Sequence, residues 1–359
     1  MMTTNAQHFV GPLTFEALSG EKVCSDLFDP QADAAMRHID WAEQADAVIV
    51  APATANMLGK LAHGIADDAL STLLLAVTAP VVLCPSMNTN MYASEAVQRN
   101  LDILSKDGFR IVTPESGELA CGTTGPGRLP EPVYIFDRVV KVFCPEDLKD
   151  KTVLVTAGPT HEAIDPVRYI GNPSSGKMGY AIARAAEHRG ANVILISGPT
   201  CLDAPANVDI IRVQSAAEMA QAVFDRLPHA EIMIKAAAVA DYRPHTSAGQ
   251  KIKKEKEEMS LRLTKTQDIL QAVGQQKEGR FVVGFAAETE SLDQNAAQKL
   301  ANKNLDMIAG NLINAPGSGF QTDTNQVTLY YREGTQEQLP VMDKQDLAHV
   351  LLDRVIERI

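Results

Sequence analysis

The chain has 359 residues, of which 45% are hydrophobic and 22% are charged. This length predicts two domains rather than one, and a composition so close to that of ordinary globular proteins excludes wholesale disorder and fibrous architecture. The formal net charge of −12 argues against nucleic-acid binding, because an acidic surface repels the phosphate backbone.

Five cysteines are scattered along the chain: Cys24, Cys84, Cys121, Cys144 and Cys201. Their odd number and wide spacing indicate neither a disulfide framework nor a zinc site, and they fit a reducing compartment. No apolar run approaches the roughly 20 residues that cross a bilayer, and the N-terminus lacks the basic and apolar regions of a signal peptide. We therefore expect a cytoplasmic protein with no membrane association.

Short apolar runs alternate with helical patterns, a rhythm that predicts parallel strands joined by crossover helices. In the first half, strands are expected near residues 46–54, 80–88 and 110–115. In the second half, strands are expected near residues 152–157, 192–197, 208–213, 231–236, 281–286 and 306–310. The pattern at 326–333 indicates a late strand, and that at 343–359 a closing amphipathic helix. Each half predicts a doubly wound, Rossmann-like α/β fold.

A polar, charged segment that contains Pro145 separates the two halves. We place the domain boundary within it, near residues 145–150. Residues 1–147 are accordingly assigned to a first domain and residues 148–359 to a second.

The stretch TAGPTHEAIDPVRYIGNPSSGKMGYAIA, residues 156–183, runs from the end of a strand to the start of a helix. Ligands bind there in α/β sheets, and phosphate is a natural occupant. Gly176 and Gly179 permit close backbone approach, and Ser174 and Ser175 offer hydroxyl groups. The GxxxxGK[ST] pattern is absent, which excludes a Walker A site. An ordinary glycine-rich turn explains the residues equally well.

Lysines follow Asp241, which ends a strand: Lys251, Lys253, Lys254 and Lys256. Such a loop could bind nucleotide phosphates and stabilise the charge that develops in phosphoryl or nucleotidyl transfer. Two further lysines, Lys299 and Lys303, lie four positions apart and hence on one face of a predicted helix. Most charge runs are solvated surfaces, so both explanations stay open.

The stretches AGPTxExxDPVRYIxNxSSGKMG, AAVADYRP, KIKK and VGFAAET follow one another through the second half. They resemble the ligase half of the bacterial bifunctional coenzyme A biosynthesis flavoproteins, in which a phosphopantothenoylcysteine decarboxylase is fused to a phosphopantothenate–cysteine ligase. The first half carries APATANMLGKLAHGIADDALSTLLL, PSMNTNMY and SGELACGTTGPGRLPEP, which resemble the decarboxylase half of the same family.

The resemblance implies that the second domain joins cysteine to 4′-phosphopantothenate with CTP and Mg²⁺, through an acyl-cytidylate. Asn172 would bind the acyl intermediate, Asp241 would hold the metal, and Lys251 would be the catalytic lysine. The nucleotide- and substrate-binding residues that it implies are Asn172, Lys235, Ala236, Ala237, Asp241, Lys251, Gln267, Asp268, Ile269, Leu270, Phe285, Lys299 and Lys303. Where the family usually has KNPDI, residues 265–269 read KTQDI. Backbone contacts from this loop can survive that difference.

For the first domain, the resemblance implies an FMN-dependent decarboxylase. Ala53, Thr54, Asn56 and Met87 would bind FMN, and His38, Asn88 and Cys121 would be catalytic. Asn88 would grip the substrate carboxylate, and Cys121, on a mobile glycine-rich loop, would donate a proton. By residue chemistry alone, Thr54 and Asn88 are also good helix caps, and His38, placed just before a short helix, could be structural.

The family normally opens with a strand and a turn resembling GVTGGIAAYK, whereas this chain begins at a later point, MTTNAQHFVGPLTFEALSG. A strand–turn–helix unit of roughly 30 residues is therefore expected to be missing. Weak or absent FMN binding is the expected result, while the ligase domain is expected to fold and turn over CTP.

The resemblance also implies trimers of the first domain, assembled further by ligase dimers. A catalytically silent, flavoprotein-like regulatory or scaffold subunit is the alternative function. A nicotinamide dehydrogenase is not supported, because no GxGxxG turn follows a strand.

Overall fold

The structure, a computed structural model, describes residues 1–27, 37–120, 122–253, 258–288, 290–312 and 322–359. The chain divides into two compact units, Met1–Phe143 and Cys144–Ile359. Each unit combines helices and parallel strands around its own hydrophobic core, which confirms the expected α/β class. Within the described ranges, no helix combines the length and apolar character that crossing a membrane requires.

The described residues of the first unit form α-helices and short strands. Its helices are α1 (Pro12–Ser19), α2 (Arg37–Gln44), α3 (Ala55–Ala62), α4 (Ala69–Ala76), α5 (Thr89–Tyr92), α6 (Glu95–Lys106) and α7 (Pro132–Val142). Its strands are β1 (Val48–Ala53), β2 (Val81–Pro85), β3 (Arg110–Ile111), β4 (Glu115–Glu118) and β5 (Thr124–Arg128). Strand β3 is shorter than expected, because Pro114 has no N–H with which to extend the ladder.

Strands β1, β2 and β3 form a parallel sheet in that order, and β4 and β5 form an antiparallel hairpin. Successive side chains of a strand point to opposite faces. Leu83 on β2 therefore packs with α3, α4 and α6, whereas Val82 packs with Ile135 and Val139 of α7. Ile49, which pairs with Val82, stays 47% exposed.

The second unit contains a larger sheet. Its strands are β6 (Thr152–Ala157), β7 (Glu162–Asp165), β8 (Arg168–Ile170), β9 (Asn192–Ser197), β10 (Asp209–Arg212), β11 (Ile232–Lys235), β12 (Tyr242–Pro244), β13 (Leu263–Lys265), β14 (Phe281–Glu288), β15 (Met307–Leu312), β16 (Thr324–Asn325), β17 (Thr328–Tyr331), β18 (Gln336–Gln338) and β19 (Met342–Asp343). Its helices are α8 (Lys177–His188), α9 (Ala216–Arg226), α10 (Ile269–Gln275), α11 (Leu292–Asn302) and α12 (Lys344–Ile356).

The large sheet has the strand order β10-β9-β6-β11-β14-β15-β17-β18. The first six strands of that order are parallel, and the last two are antiparallel. In chain order the parallel strands read 3-2-1-4-5-6, the order of a Rossmann fold, and the direction of winding reverses between β6 and β11. The doubly wound fold expected for this unit is therefore confirmed.

Helices cover both faces of this sheet. Helices α8 and α12 pack on one face with Val153 and Val155, and helices α9, α10 and α11 pack on the other with Leu154. These three β6 side chains are fully buried. Burial of each such aliphatic side chain contributes about 1.5–3 kcal/mol, so the strands next to the reversal point form a rigid platform.

Candidate functional site

A cavity of about 970 Å³ lies in the second unit, at the carboxyl ends of β11 and β14. The amino ends of α8 and α10 complete its wall. In doubly wound sheets, ligands bind outside the carboxyl ends of the strands, at the point where the winding reverses. Strand β11 is one of the two strands at that point, so the position and the volume of the cavity favour ligand binding.

Thirteen residues of this unit are expected from the sequence to bind nucleotide or substrate, and the structure brings twelve of them to the cavity wall. The twelve are Asn172, Lys235, Ala236, Ala237, Asp241, Gln267, Asp268, Ile269, Leu270, Phe285, Lys299 and Lys303. Lys251 is the exception, because it is exposed and is not one of the lining residues. These residues come from five separate stretches of the chain, which the parallel sheet gathers at one edge.

The amino end of α8 forms one side of the cavity. Gly176 directly precedes the helix and has a φ of 78°, a left-handed conformation that glycine adopts without steric cost. Gly176 has no side chain with which to cap this end, and among the described contacts of the first three helical residues only the Lys177 N–H is hydrogen-bonded, to the Ser175 hydroxyl at 3.5 Å, so the next N–H groups can bind an anion. A Cβ on Gly179 would lie 2.5 Å from the Cβ of Ala157, so this glycine allows α8 to pack directly on β6.

Lys235, Lys299 and Lys303 are half-buried in the cavity wall. The Lys235 ammonium donates to the carbonyl of Ala237 at 3.2 Å, and that of Lys299 to the carbonyl of Phe285 at 3.0 Å. Burial, followed by repulsion from Lys299 and Lys303, lowers the pKa of Lys235 to about 8. Burial and then repulsion from Lys303 also lower the pKa of Lys299. The structure therefore does not place Lys299 and Lys303 on a solvated surface.

Asp268 is the acidic neighbour of these lysines. Its carboxylate lies 2.6 Å from the Lys303 ammonium and caps α10 by accepting from the backbone N–H of Gln271 at 3.0 Å. Burial raises the pKa of Asp268, but the hydrogen bonds from Lys303 and Gln271 outweigh burial, and the pKa lies below its ordinary value. The cavity therefore keeps one carboxylate ionised beside its cations.

Thr266 stands at a position where the chain departs from the usual KNPDI. Its N–H donates to the carbonyl of Asp241 at 2.9 Å, and its hydroxyl donates to the carbonyl of Ala240 at 2.6 Å. The loop before α10 is thus fixed to the segment that carries Asp241.

Two cations in the cavity wall were missed by sequence reasoning. Lys177 lies 2.5 Å from Asp323, and Lys344, which is 5% exposed, donates to the carbonyl of Thr322. Each is the first residue of its helix, α8 or α12, where the helix dipole disfavours a cation. A lysine at the first position of a predicted helix is therefore the sequence signal that could have indicated these two residues.

Lys251 lies next to a backbone that is held in place. The N–H and the carbonyl of Ile252 are both hydrogen-bonded to the ion pair of Asp165 and Arg168. Two other lysines of the predicted loop, Lys254 and Lys256, lie outside the described residues.

In the first unit, the residues expected to bind flavin follow two neighbouring parallel strands. Ala53 pairs with Pro85 where β1 and β2 end. Thr54 and Asn56 follow β1, and Met87 follows β2. The four residues therefore lie at the carboxyl edge of the sheet, where α/β folds bind ligands.

Both cap alternatives left open by the sequence are present in the structure. Thr54 caps α3, because its hydroxyl accepts from the N–H of Met57 at 3.3 Å. Asn88 caps the short helix α5, because its amide oxygen accepts from the N–H of Asn90 at 2.9 Å. Because the Thr54 hydroxyl oxygen only accepts in this cap, its proton stays available for donation to a ligand.

The hairpin of β4 and β5 docks on the segment after β2. The Met87 N–H and the Ser86 hydroxyl both donate to the carbonyl of Gly127, at 3.0 and 3.1 Å. A Cβ on Gly127 would lie 2.1 Å from the Met87 carbonyl oxygen, so only glycine permits this approach. Cys121 lies between β4 and β5 in the sequence and outside the described residues.

His38 is expected just before a short helix, but it is the second residue of α2. Helix termini shift by one or two residues with local hydrogen bonding, which a sequence pattern does not resolve. The side chain is half-buried.

Comparison with known proteins covers both units. Residues 148–359 match the family model of the DNA/pantothenate metabolism flavoprotein C-terminal domain, and residues 1–144 match the flavoprotein family model. The coenzyme A biosynthesis bifunctional protein CoaBC of Bacillus subtilis (strain 168) is 50% identical over 99% of this chain and 88% of its own length. The protein of the same name from Escherichia coli (strain K12) is 46% identical over 99% of this chain and 89% of its own length.

Two solved structures resemble the chain. A crystal structure of the C-terminal domain of a coenzyme A biosynthesis bifunctional protein CoaBC is 40% identical, with a TM-score of 0.51, and covers 59% of this chain and 97% of its own. A DNA/pantothenate metabolism flavoprotein from Streptococcus pneumoniae is 22% identical, with a TM-score of 0.51, and covers 58% of this chain and 99% of its own. The second similarity is one of fold alone.

Proposed function

The chain belongs to the family of coenzyme A biosynthesis bifunctional proteins, and on that premise we propose that it catalyses two consecutive reactions. The second unit ligates cysteine to 4′-phosphopantothenate with CTP, and the first unit decarboxylates the product, 4′-phosphopantothenoylcysteine, to 4′-phosphopantetheine. The observation that carries the ligase proposal is the lysine-rich cavity at the carboxyl ends of β11 and β14.

The ligase reaction must first activate a carboxylate, which is a poor electrophile. The carboxylate of 4′-phosphopantothenate attacks the α-phosphate of CTP. Pyrophosphate departs, and an acyl-cytidylate is formed. The amine of cysteine then attacks the acyl carbon, and CMP leaves. Both leaving groups carry negative charge on phosphate oxygens, which preorganised cations and N–H donors stabilise.

The cavity offers two sets of groups for anions, and the substrates bring two anions. One set is the amino end of α8 with its N–H groups and Lys177, and the other is the group of Lys235, Lys299 and Lys303. The phosphate of 4′-phosphopantothenate and the triphosphate of CTP can therefore be bound together. This match supports a reaction between two phosphorylated substrates.

Asn172 and Asp241 supply contacts that cations do not. The Asn172 amide donates to the carbonyl of Val239 at 3.1 Å, which holds it on the wall for the acyl intermediate. Asp241 is exposed in the same cavity, and its carboxylate oxygens are the ligands that Mg²⁺ prefers, so Asp241 fits the metal. Mg²⁺ would supply charge neutralisation for the triphosphate.

Backbone groups at the amino end of α10 support nucleotide recognition. Residues 267–270 line the cavity, and Asp268 fixes that end of the helix by its cap. Recognition through backbone N–H groups does not depend on side-chain identity, so it tolerates the change from KNPDI to KTQDI.

Lys251 is the proposed catalytic lysine, and it would act from outside the cavity wall by extending its flexible side chain towards the phosphates. In Lys251→Gln, we expect pyrophosphate release from CTP with 4′-phosphopantothenate and cysteine to fall about 10²–10³-fold. Lys253→Gln is the matched control, because Lys253 is also exposed and belongs to the same segment. Equal rates in the two variants would contradict the assignment of Lys251, whereas no pyrophosphate release by the wild type would favour the silent scaffold subunit.

The first unit is proposed to hold FMN through Ala53, Thr54, Asn56 and Met87. These residues fit a flavin, because they meet at the carboxyl edge of β1 and β2 and include the exposed hydroxyl of Thr54. FMN would supply the two-electron oxidation of the substrate thiol that makes carboxylate loss feasible.

The decarboxylation residues are proposed to be His38, Asn88 and Cys121. Asn88 lies where the β4–β5 hairpin docks, so it can hold the substrate carboxylate beside the hairpin that carries Cys121. Carboxylate loss would leave an enethiol, and Cys121 would supply the proton when the two electrons removed in the oxidation are returned to it. In Cys121→Ser, we expect decarboxylation to fail while ligation continues at the wild-type rate, and parallel loss of both activities would contradict the separation of roles.

Flavin content tests the cofactor directly. Titration of the purified chain with FMN, followed by flavin fluorescence, measures binding. Absence of bound flavin would contradict the proposed flavin site and leave the ligase proposal unaffected.

We also propose a cytoplasmic homo-oligomer, with trimers formed by the first unit and dimers formed by the second. Apolar side chains on α1 are compatible with burial between subunits, since Leu13 is 75% and Leu18 is 81% exposed. Mass photometry of the intact chain tests this assembly, and a monomer at micromolar concentration would contradict it.

A further inference from the structure

Cys144, His188 and His349 meet in the second unit. One potential ligand atom of each side chain lies within 4.8 Å of those of the other two. His188 ends α8 and is 3% exposed, His349 lies on α12 and is half-buried, and Cys144 is the first residue of the unit. We propose that this cluster is a metal site that binds Zn²⁺, separate from the cavity of the ligase reaction.

The donor set determines the choice of ion. A thiolate and two imidazoles suit Zn²⁺, whereas carboxylates, carbonyls and water suit Mg²⁺ and Ca²⁺. With Zn–S and Zn–N bonds of about 2.3 and 2.0–2.1 Å in a tetrahedron, ligand atoms lie about 3.3–3.6 Å apart. The side chains of Cys144 and His349 are only half-buried, so they have room to close by the remaining ångström or so.

Arg189 fixes the relative positions of the segments that carry the three ligands. Its guanidinium, 2% exposed, donates to Asp147 at 2.8 Å, to the carbonyl of His349 at 3.0 Å and to Asp353 at 2.7 Å. One buried side chain thereby connects the segment after Cys144 to α12, and it directly follows the last residue of α8. Ligands that are placed by such a network need little ordering when the ion binds.

The local charge also favours a cation. The single positive charge of Arg189 is opposed by two carboxylates, those of Asp147 and Asp353. Binding of Zn²⁺ converts the Cys144 thiol to a thiolate, which adds a further negative charge and releases a proton. The metal would cross-link three distant parts of the chain and stabilise the folded second unit.

Cobalt spectroscopy of the full chain tests the site. The chelator-treated protein is titrated with Co²⁺, and we expect one equivalent to give strong visible absorption of tetrahedral cobalt together with a sulfur-to-cobalt charge-transfer band. Zn²⁺ should displace the Co²⁺ and raise the melting temperature. Mg²⁺-type oxygen sites, such as the one proposed at Asp241, give no thiolate band.

Variants distinguish the cluster from other thiols and imidazoles. Cys144→Ser should abolish the charge-transfer band, and His349→Gln should weaken Zn²⁺ binding by at least about 10–100-fold. The matched controls, Cys201→Ser and His229→Gln, change exposed residues elsewhere in the unit and should bind Zn²⁺ like the wild type. Absence of the band in the wild type, or its persistence in Cys144→Ser, would overturn the proposal in favour of a cluster without metal.

Discussion

The carboxylate of Asp165 accepts a hydrogen bond from the backbone N–H of Ile252 at 3.1 Å, across 87 positions of the chain. Arg168, which pairs with the same carboxylate, donates to the Ile252 carbonyl at 3.0 Å. The peptide groups beside Lys251 are thus held from both sides. The hydrogen bond from Arg168 keeps the pKa of Asp165 well below its usual range, so this carboxylate is ionised throughout the neutral range.

Asp165→Asn should disturb Lys251 without touching the cavity. The amide retains the shape of the carboxylate but loses its charge and the ion pair with Arg168, so the segment that carries Lys251 is held less firmly. Misplacement of a catalytic group by about 1 Å can cost on the order of 10²-fold in rate. We expect kcat of ligation to fall by up to that factor, with KM for CTP nearly unchanged, as measured by steady-state pyrophosphate release.

Asp225→Asn is the control for this substitution. Asp225 is exposed on α9 and accepts only a surface hydrogen bond from Gln221 among the described contacts, so its variant should keep wild-type kinetics. A rise in KM for CTP without a loss of kcat in Asp165→Asn would show that Asp165 shapes the cavity rather than positions Lys251.

CTP binding should weaken as the pH rises through about 8. The pKa of Lys235 is lowered to about 8 by burial and by Lys299 and Lys303, so the ammonium that binds phosphate is present below that pH and lost above it. With one proton linked to binding, KM for CTP should rise by up to about tenfold per pH unit above the pKa. Initial rates at several CTP concentrations between pH 6.5 and 9.5 measure this.

Two variants assign that pH dependence to Lys235. Lys235→Arg keeps a positive charge across the whole range and should remove the rise in KM. Lys235→Gln should give a uniformly higher KM with no rise near pH 8. If KM for CTP still rises near pH 8 in Lys235→Gln, another titrating group causes the rise.

Gly179→Ala should damage both stability and CTP binding. Its Cβ would lie 2.5 Å from that of Ala157, so α8 must move away from β6 and take its amino end out of position. Overpacking of this kind costs about 1–3 kcal/mol, and each kcal/mol lowers the melting temperature of a unit of this size by roughly 2–4 °C. Thermal unfolding and KM for CTP test the prediction. Gly249→Ala, where the added Cβ has no neighbour within 4 Å, should change neither.

The doubly wound fold of the second unit could be predicted because its strands are short apolar runs that end in glycine or small polar residues. All six expected parallel strands are present, and right-handed crossovers then restrict their order. The hairpin of β17 and β18 extends the sheet through antiparallel pairing, which the apolar pattern at 326–333 does not distinguish from parallel pairing.

The cavity was only partly predictable. Lys344 lies far along the chain from Lys177, and no local pattern shows that α12 begins beside α8. The position of Lys251 depends on Asp165 and Arg168, which are distant in sequence and could not be linked to it without the fold. The cluster of Cys144, His188 and His349 was not predicted for the same reason, since its ligands lack the close spacing of zinc motifs.

The last prediction separates the two roles of Thr54, which caps α3 and is proposed to contact FMN. Thr54→Asp keeps a good cap but places a negative charge at the carboxyl edge of β1, where the proposed FMN, with its anionic phosphate, would bind. We expect the first unit of Thr54→Asp to melt at or above the wild-type temperature and its affinity for FMN to fall at least about tenfold, since a like-charge contact costs a kcal/mol or more.

Thr54→Val lacks the cap and should destabilise the unit by about 0.5–2 kcal/mol. Thr54→Ser keeps both the cap and the hydroxyl and serves as the control. Equal FMN affinities in Thr54→Asp and Thr54→Ser, measured by fluorescence titration, would leave Thr54 as a cap alone.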